Sequence, residues 1–227
     1  MVSAEGDPRR AGTIWVLDLD QPTPVVKPQL DASFGRVSTE SIPELAVAMG
    51  NDSLTDILKR FESGRRCYAV QVDNDSTRNI GEIQRWERGK FVAYGWVSFK
   101  EEFIGELNLR IRLLSGEAYI WDCATLPDFR QRHLYSALLA YIVGELRAEK
   151  FRRVWIGADL ANSISQRGIA RAGFIHVADL LVARVLALRQ VWVQGLPEIP
   201  ENLVAEARRA FLNNRDQVWL TVPSSAV

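Results

Sequence analysis

At 227 residues the chain can bury a sizeable core, and a composition of 47% hydrophobic and 25% charged residues is that of an ordinary soluble protein. Lysine plus arginine and aspartate plus glutamate both number 28, so the zero formal charge provides no global attraction to nucleic acid or to an anionic membrane. The longest apolar run, LLVARVLAL, is too short to span a bilayer, and MVSAEGDPRR lacks the apolar core of a signal peptide. We therefore expect a cytoplasmic protein with neither nucleic acid nor a membrane as its partner.

The residues that commonly bind metals are few. Cys67 and Cys123 are the two cysteines, and His133 and His176 are the two histidines. Since none of them stands at the paired spacing of a zinc site, we expect no metal.

The first 33 residues contain one strand-like run, TIWVLDLD, followed by a linker that carries Pro22, Pro24 and Pro28. Proline lacks a backbone N–H and resists regular structure. Residues 1–33 are therefore predicted to form an arm that packs on the outside of the core or pairs at the edge of a sheet.

A strand and two helices are predicted next. Residues 34–39 form the strand, and SIPE is a capping box in which Ser41 caps a helix that runs to Gly50 and Glu44 reaches back. The second helix lies in SLTDILKRFESG and ends at Gly64. Its apolar residues stand at helical spacing: Leu54, Ile57, Leu58 and Phe61.

Strands dominate the following segment. CYAVQV and FVAYGWVSF are predicted strands, separated by a polar turn at DNDSTRN and a short stretch around Trp86. LNLRIRL alternates between apolar and polar residues, and after a turn at Gly116 we expect it to form an antiparallel hairpin with AYIWDCAT. Glu117 and Asp122 are the polar residues of this hairpin that could face a cleft.

The stretch WDCATLPDFRQRHLYS combines the end of a strand, a basic turn and the start of a helix. Arg130 and Arg132 lie in the turn, directly before a run of apolar residues with helical period. The first turn of a helix presents unpaired N–H groups and the positive end of the helix dipole, so a phosphate could bind here. The alternative is a solvated connection whose arginines contact water and nearby carboxylates.

Beyond that helix, which is predicted to end at Lys150, VWIGA is a buried strand and NSISQRGIARAGF is a short helix. Ser163 and Gln166 form its predicted capping box, and Gly173 ends it. The last two strands of the core are expected within residues 175–193. Residues 194–227 then change in composition and are predicted to add a helix and a strand, QVWLTV, to the same domain.

Two of these segments, in this order and spacing, resemble the signatures of the GNAT acyltransferase superfamily. PDFRQRHLYSALL resembles the family's acyl-CoA pyrophosphate loop, and NSISQRGIARAGF resembles the second signature, an Asn that opens a short helix ending in Gly-Phe. The resemblance covers residues 34–193. It implies an α/β fold of the GNAT type, one mixed and mostly antiparallel sheet with helices on both faces.

The resemblance also implies a reaction, the transfer of an acyl group from acetyl-CoA or another acyl-CoA to the primary amine of a small molecule or protein. The amine would attack directly in a ternary complex, with acetyl-CoA as the acyl donor. Strand residues would pair with the pantetheine, N–H groups of the loop would hold the diphosphate, and an Asn would contact the thiol end. The implied binding residues are Cys123, Ala124, Thr125, Arg130, Gln131, Arg132, His133, Leu134, Tyr135, Ser136 and Asn162.

The loop departs from the family pattern, because His133 and Tyr135 occupy its two glycine positions and Gln131 occupies a third position that is often glycine. Glycine allows the backbone to approach a diphosphate closely. The bulky side chains must therefore point away from the ligand, or the loop must shift. Cys123 has no recognisable His or Asn partner, so we interpret it as a strand residue and not as a covalent nucleophile.

The catalytic positions depart as well. The family's Tyr and Glu positions fall on Ile169 and Gly157, neither of which can transfer a proton. Because side chains alternate along a strand, Asp122 and Ala124 should share one face, and Trp121, Cys123 and Thr125 should share the other. The remaining candidates for catalysis lie in the predicted hairpin: Asp122, Tyr119 and Glu117.

Other functions are left open by these departures. A catalytically silent module with the same fold, which binds acyl-CoA or a partner protein, would also lose glycines and proton-transfer residues. A transferase that uses an aminoacyl-tRNA donor is disfavoured by the zero net charge. A homodimer is left open.

Overall fold

The computed structural model describes residues 9–72, 90–104, 109–185 and 188–212. Its strands are β1 (Arg9–Asp18), β2 (Ala32–Arg36), β3 (Arg66–Val72), β4 (Phe91–Ser98), β5 (Glu101–Ile104), β6 (Leu109–Arg112), β7 (Glu117–Thr125), β8 (Arg153–Asp159), β9 (Ile175–Val185) and β10 (Leu188–Gly195). Its helices are α1 (Ile42–Ala48), α2 (Leu54–Glu62), α3 (Leu134–Ala148), α4 (Ser163–Arg171) and α5 (Glu201–Phe211). DNDSTRN, the stretch around Trp86 and QVWLTV lie outside the described residues.

Eight strands form one sheet in the order β10-β9-β1-β8-β7-β4-β3-β2. Neighbouring strands are antiparallel, except that β7 and β8 run parallel. Helices α3 and α4 pack on one face through residues such as Leu138 and Ile169. Helices α1, α2 and α5 contribute to apolar clusters on the other face, which include Leu45, Ile57 and Phe211. The mixed, mostly antiparallel sheet with helices on both faces is confirmed.

We expected the strand of the N-terminal arm outside the core or at a sheet edge, but β1 lies inside the sheet. It pairs with β8 on one side, Trp15 opposite Ile156, and with β9 on the other, Ile14 opposite Ala178. Both faces of β1 are covered, since Ile14 and Val16 belong to one apolar cluster and Trp15 to another. A strand buried on both faces needs such a continuous apolar run. Of the described residues in the predicted arm, those of the linker after β1 lie outside the sheet.

Strand β6 also has a different partner from the one predicted. It pairs with β5 in a separate two-stranded sheet, Ile111 opposite Glu102, and does not form a hairpin with β7. The predicted alternation is present from Leu109 onward, with Leu109 and Ile111 buried and Arg110 exposed. The buried residues pack in the same cluster as Phe211 of α5. Alternation therefore identified the apolar face but not the strand partner.

Several helix ends differ in detail from the predictions. Ser41 precedes α1 without a side-chain cap hydrogen bond, so the first capping box does not form, and the helix stops at Ala48. Of the four apolar residues predicted for α2, Ile57 is buried whereas Leu54 and Leu58 are exposed. None of the helices in the described ranges is long and apolar enough to cross a membrane.

Candidate functional site

The two parallel strands separate halfway along their length. The last paired residues of β7 and β8 are Ile120 and Ile156. Beyond them β7 continues beside β4 to Thr125, while β8 continues beside β1 to Asp159. Within the described residues, positions 121–125 of β7 therefore lack a strand partner on the β8 side. Such an internal edge can accept an extended ligand by backbone pairing.

A β-bulge lies at this fork. Tyr94 of β4 stands opposite Ala124 and Trp96 stands opposite Trp121, so Asp122 and Cys123 together face one residue, Gly95. Asp122 has a positive φ of 42°. A Cβ on Gly95 would lie 2.8 Å from the Cys123 Sγ, so this strand position requires glycine. The bulge breaks the alternation expected for β7.

The basic turn after β7 leads into the 15-residue helix α3. Gln131 and His133 have left-handed backbones, with φ of 63° and 60°, and flank Arg132. Glycine adopts this conformation most easily, so two of the positions where the family pattern has glycine keep a glycine-like backbone. Turns of this kind direct backbone N–H groups into a concavity that suits an anion.

Tyr135 occupies the third of these positions, and its side chain avoids crowding the loop by turning away from it. Its ring packs against α4 at Gly168, where a Cβ added to the glycine would lie 2.5 Å from the ring Cδ1. Its hydroxyl lies 3.1 Å from the Ser165 Oγ, and burial raises the pKa of the phenol. The side chain is therefore directed towards α4, as required if the loop amides are to stay accessible, and Gly168 provides the space.

Helix α4 is capped by Asn162 and not by Ser163. The Asn162 Oδ1 accepts a hydrogen bond of 3.0 Å from the Ser165 N–H. Gln166, which was predicted to complete a capping box, donates its side-chain amide to the carbonyls of Asp159 and Leu160. Asn at this position fits the ordinary preference for caps.

A cavity of about 540 Å³ opens between the basic turn, α3 and α4. The structure brings together here most of the residues predicted to bind the donor: Cys123, Ala124, Thr125, Arg130, Gln131, His133, Leu134, Tyr135, Ser136 and Asn162. The exception is Arg132, which is not part of the lining and whose carbonyl accepts a hydrogen bond from the Gln29 N–H.

Sequence reasoning missed two arginines of this cavity. Arg167 and Arg171 line it from α4, together with Arg130 from the turn, and no carboxylate lies among the lining residues. Their i, i+4 spacing within the second signature, after its Asn, would have placed both on one face of the helix. The lining therefore combines positive charge with the N-terminus of α3, which suits a phosphate.

The three residues predicted for catalysis are not brought together. Glu117 is fully buried at the closed end of the fork, where Arg209 donates to it at 2.7 and 2.9 Å and Arg152 at 3.3 Å. Tyr119 is buried, and its hydroxyl would lie 3.4 Å from a Cβ on Gly157, just past the last β7–β8 pair.

Asp122 is the one exposed member of that set. Its Oδ2 lies 2.5 Å from the Nη1 of Arg60, which reaches it from α2. Asp122 directly precedes Cys123, which lines the cavity. The Cys123 thiol donates to the Trp121 carbonyl at 3.4 Å, and burial raises its pKa, so the thiol is held protonated. This chemistry agrees with the interpretation of Cys123 as a strand residue.

The acetyltransferase (GNAT) family profile matches residues 52–174, more than half of the chain. The chain belongs to the GNAT family. No curated protein matches this GNAT chain.

Solved GNAT structures are similar to it at low identity. The GCN5-related N-acetyltransferase from Sphaerobacter thermophilus is 14% identical with a TM-score of 0.52, over 84% of this chain and 54% of that one. The ribosomal-protein-S18-alanine N-acetyltransferase from Escherichia coli is 14% identical with a TM-score of 0.44, over 64% and 78%. This GNAT chain thus spans about half the length of the Sphaerobacter protein.

Proposed function

We propose that this GNAT protein transfers an acyl group, acetyl from acetyl-CoA in the simplest case, to the primary amine of an acceptor. The observation that carries the proposal is the fork between β7 and β8, which opens onto a positively charged cavity at the N-terminus of α3. An acyl-CoA needs both features, since its pantetheine is extended and its diphosphate is anionic.

The donor would lie along the fork. The backbone of residues 123–125 would pair with the pantetheine, and the N–H groups of residues 131–136 would bind the diphosphate, assisted by Arg130 and Arg167. The glycine-like backbone of the turn and the orientation of Tyr135 towards α4 both support the fit. Because the Asn162 Oδ1 caps α4, its amide nitrogen is the group that would donate to the ligand.

The acceptor amine would attack the thioester carbonyl carbon directly in a ternary complex, and the bond between carbon and sulfur would break as the amide forms. Asp122, exposed at the bulge beside the pantetheine-pairing residues, would take the proton from the ammonium, directly or through one water. The hydroxyl of Tyr135, a residue that lines the cavity, is kept protonated by its raised pKa and would donate a hydrogen bond to the leaving sulfur. The second proton of the amine nitrogen would pass to that sulfur, so that CoA leaves as the thiol.

Two measurements test this proposal. Acetyl-CoA and CoA should raise the melting temperature, because a ligand that binds the native state stabilises it. With an acceptor found in a panel of primary amines, Asp122→Asn should remove a pH-dependent limb of the rate and retain CoA affinity. Asp20→Asn, at an exposed aspartate remote from the cavity, is the matched control. Undiminished turnover of Asp122→Asn would remove Asp122 from the mechanism.

A second candidate is a catalytically silent module that binds acyl-CoA or a partner. It is supported by Ile169, which is fully buried, and by Gly157, because the resemblance places an acid and a base at these positions. Binding of CoA without transfer to any amine of the panel would favour this candidate over the enzyme.

A further inference from the structure

A cation of the chain itself, Arg60 of α2, lies against the bulge at the fork. The guanidinium carbon of Arg60 lies 4.9 Å from the ring centroid of Trp121 and 5.2 Å from that of Trp96. The same guanidinium pairs with the Asp122 carboxylate at 2.5 Å. Arg60 therefore fills a site with two aromatic faces and one anion, here called the indole–carboxylate site and defined by Trp96, Trp121 and Asp122.

The walls of this site are held by contacts that do not involve Arg60. The Trp121 indole N–H donates to the Ser98 Oγ at 2.8 Å. Ser98 in turn contacts Glu102, and Arg65 binds the two oxygens of Glu102 at 2.6 and 2.9 Å. The Trp96 ring is fully buried. Removal of Arg60 would therefore leave a formed site and not a collapsed one.

The charge that remains without Arg60 is negative. Arg65 also lies near the Trp121 ring, at 5.7 Å, but its charge is already balanced by Glu102. Asp122 has no second cationic partner among the ion pairs of the described residues. Aromatic faces together with an unbalanced carboxylate are the groups that recognise ammonium ions in proteins.

We infer that the indole–carboxylate site is the acceptor site of the proposed transfer, that it takes a primary alkylammonium, and that Arg60 is a displaceable plug occupying the position of that ammonium. The inference rests on the proposed function for its catalytic meaning. The site adjoins the donor cavity, because Asp122 and Cys123 are consecutive and Cys123 lines that cavity.

The plug can be displaced at modest cost. The side chains of Arg60 and Asp122 are 25% and 33% exposed, so water already reaches their ion pair. Exposed ion pairs shift an equilibrium by about fivefold at most. An ammonium over the same rings would replace the interactions that Arg60 gives up. The plug thus favours cationic acceptors over neutral or anionic ones, which cannot substitute for the guanidinium.

The opposite role for Arg60 would be to bind a carboxylate of the acceptor. The two roles predict effects of opposite sign when Arg60 is replaced. Removal of a plug strengthens the binding of an alkylammonium, whereas removal of an anion receptor weakens the binding of a carboxylate.

Calorimetric titration with cadaverine, and separately with the dicarboxylate glutarate, distinguishes these roles. Arg60→Ala should bind cadaverine about fivefold more tightly than the unaltered protein, and the double variant with Asp122→Asn should lose the gain. Lys59→Ala is the matched control, because Lys59 is the adjacent cation on α2 and pairs with Asp56 away from the site. It should leave cadaverine affinity unchanged.

Unchanged, weaker or undetectable cadaverine binding by Arg60→Ala overturns the inference, as does a loss of glutarate binding in that variant. If Arg60→Ala does not fold, Arg60→Gln, which keeps the length of the side chain without its charge, is titrated in the same way and decides by the same criteria. CoA affinity is measured in parallel. Absence of CoA binding with the cadaverine gain intact would reject the proposed function and retain the ammonium site.

Discussion

Replacement of His133 by glycine should stabilise the protein. His133 has a left-handed backbone with φ of 60°, which costs a residue with a Cβ about 1–2 kcal/mol. Glycine removes this cost but gives the unfolded chain more freedom, which offsets about 0.4–1 kcal/mol. We therefore expect the free energy of unfolding to rise by about 0.5–1 kcal/mol.

Tyr135→Gly should have the opposite effect, although both residues stand where the family pattern has glycine. Tyr135 lies in the first turn of α3, and its ring fills the space above Gly168 while its hydroxyl contacts Ser165. Loss of a packed aromatic ring, together with a glycine inside a helix, should lower the free energy of unfolding by about 3–4 kcal/mol.

Lys150→Gly provides a matched control for His133→Gly. Lys150 has a φ of 64° just after the other end of α3, far from the cavity. It should show a similar gain in stability with unchanged CoA affinity, whereas His133→Gly should keep or improve that affinity.

Urea denaturation gives the stabilities, and calorimetric titration gives the CoA affinities of the three variants. A destabilised His133→Gly protein, or a Tyr135→Gly protein as stable as the original, would refute the reasoning about the turn. Complete loss of CoA binding in His133→Gly would mean that the imidazole itself is a contact.

Three further predictions follow from other contacts. The double variant Arg130→Glu, Arg167→Glu should weaken CoA binding at least tenfold, about 1.4 kcal/mol. Arg132→Glu should weaken CoA binding less, because Arg132 does not line the cavity, and equal effects in calorimetry would contradict this. Burial opposes the ionisation of Glu102, but hydrogen bonds, above all from Arg65, lower the pKa of this carboxyl overall. The ionised Glu102 therefore stabilises the fold fully above the ordinary pKa of 4.5, and this stabilisation is lost as the pH falls through the lowered pKa. Urea titrations from neutral to acidic pH should therefore show that Glu102→Gln removes part of this acid dependence; an identical pH profile would be the contrary result. Arg147 donates three hydrogen bonds to the linker after β1, so Arg147→Ala should lower the free energy of unfolding, measured in urea, by about 1–3 kcal/mol. It should also weaken CoA binding, because the linker holds the basic turn through the Gln29 N–H. Full stability of the variant would show that other contacts hold the linker.

The part of the cavity lining that lies at the basic turn could be predicted from the sequence because its residues are contiguous. The end of a strand, a basic turn and the start of a helix follow one another within residues 121–136, so local patterns are sufficient to bring the backbone of Cys123 and the N–H groups after Arg130 into one place. Asn162 was identified through the second signature, although its role as the helix cap was assigned to its neighbour.

The tertiary structure alone decided which distant segments meet. The apolar run of β1 predicted a strand, but we expected it outside the core or at a sheet edge and not between β8 and β9. Alternation in β6 likewise predicted an apolar face but not its pairing with β5. The physical reason is that side-chain period is a local property, whereas strand pairing depends on contacts between residues far apart in the chain. For the same reason, three features of the site appear only when the folded chain brings distant partners together. They are the bulge that exposes Asp122, the approach of Arg60 from α2 and the space that Gly168 leaves for Tyr135.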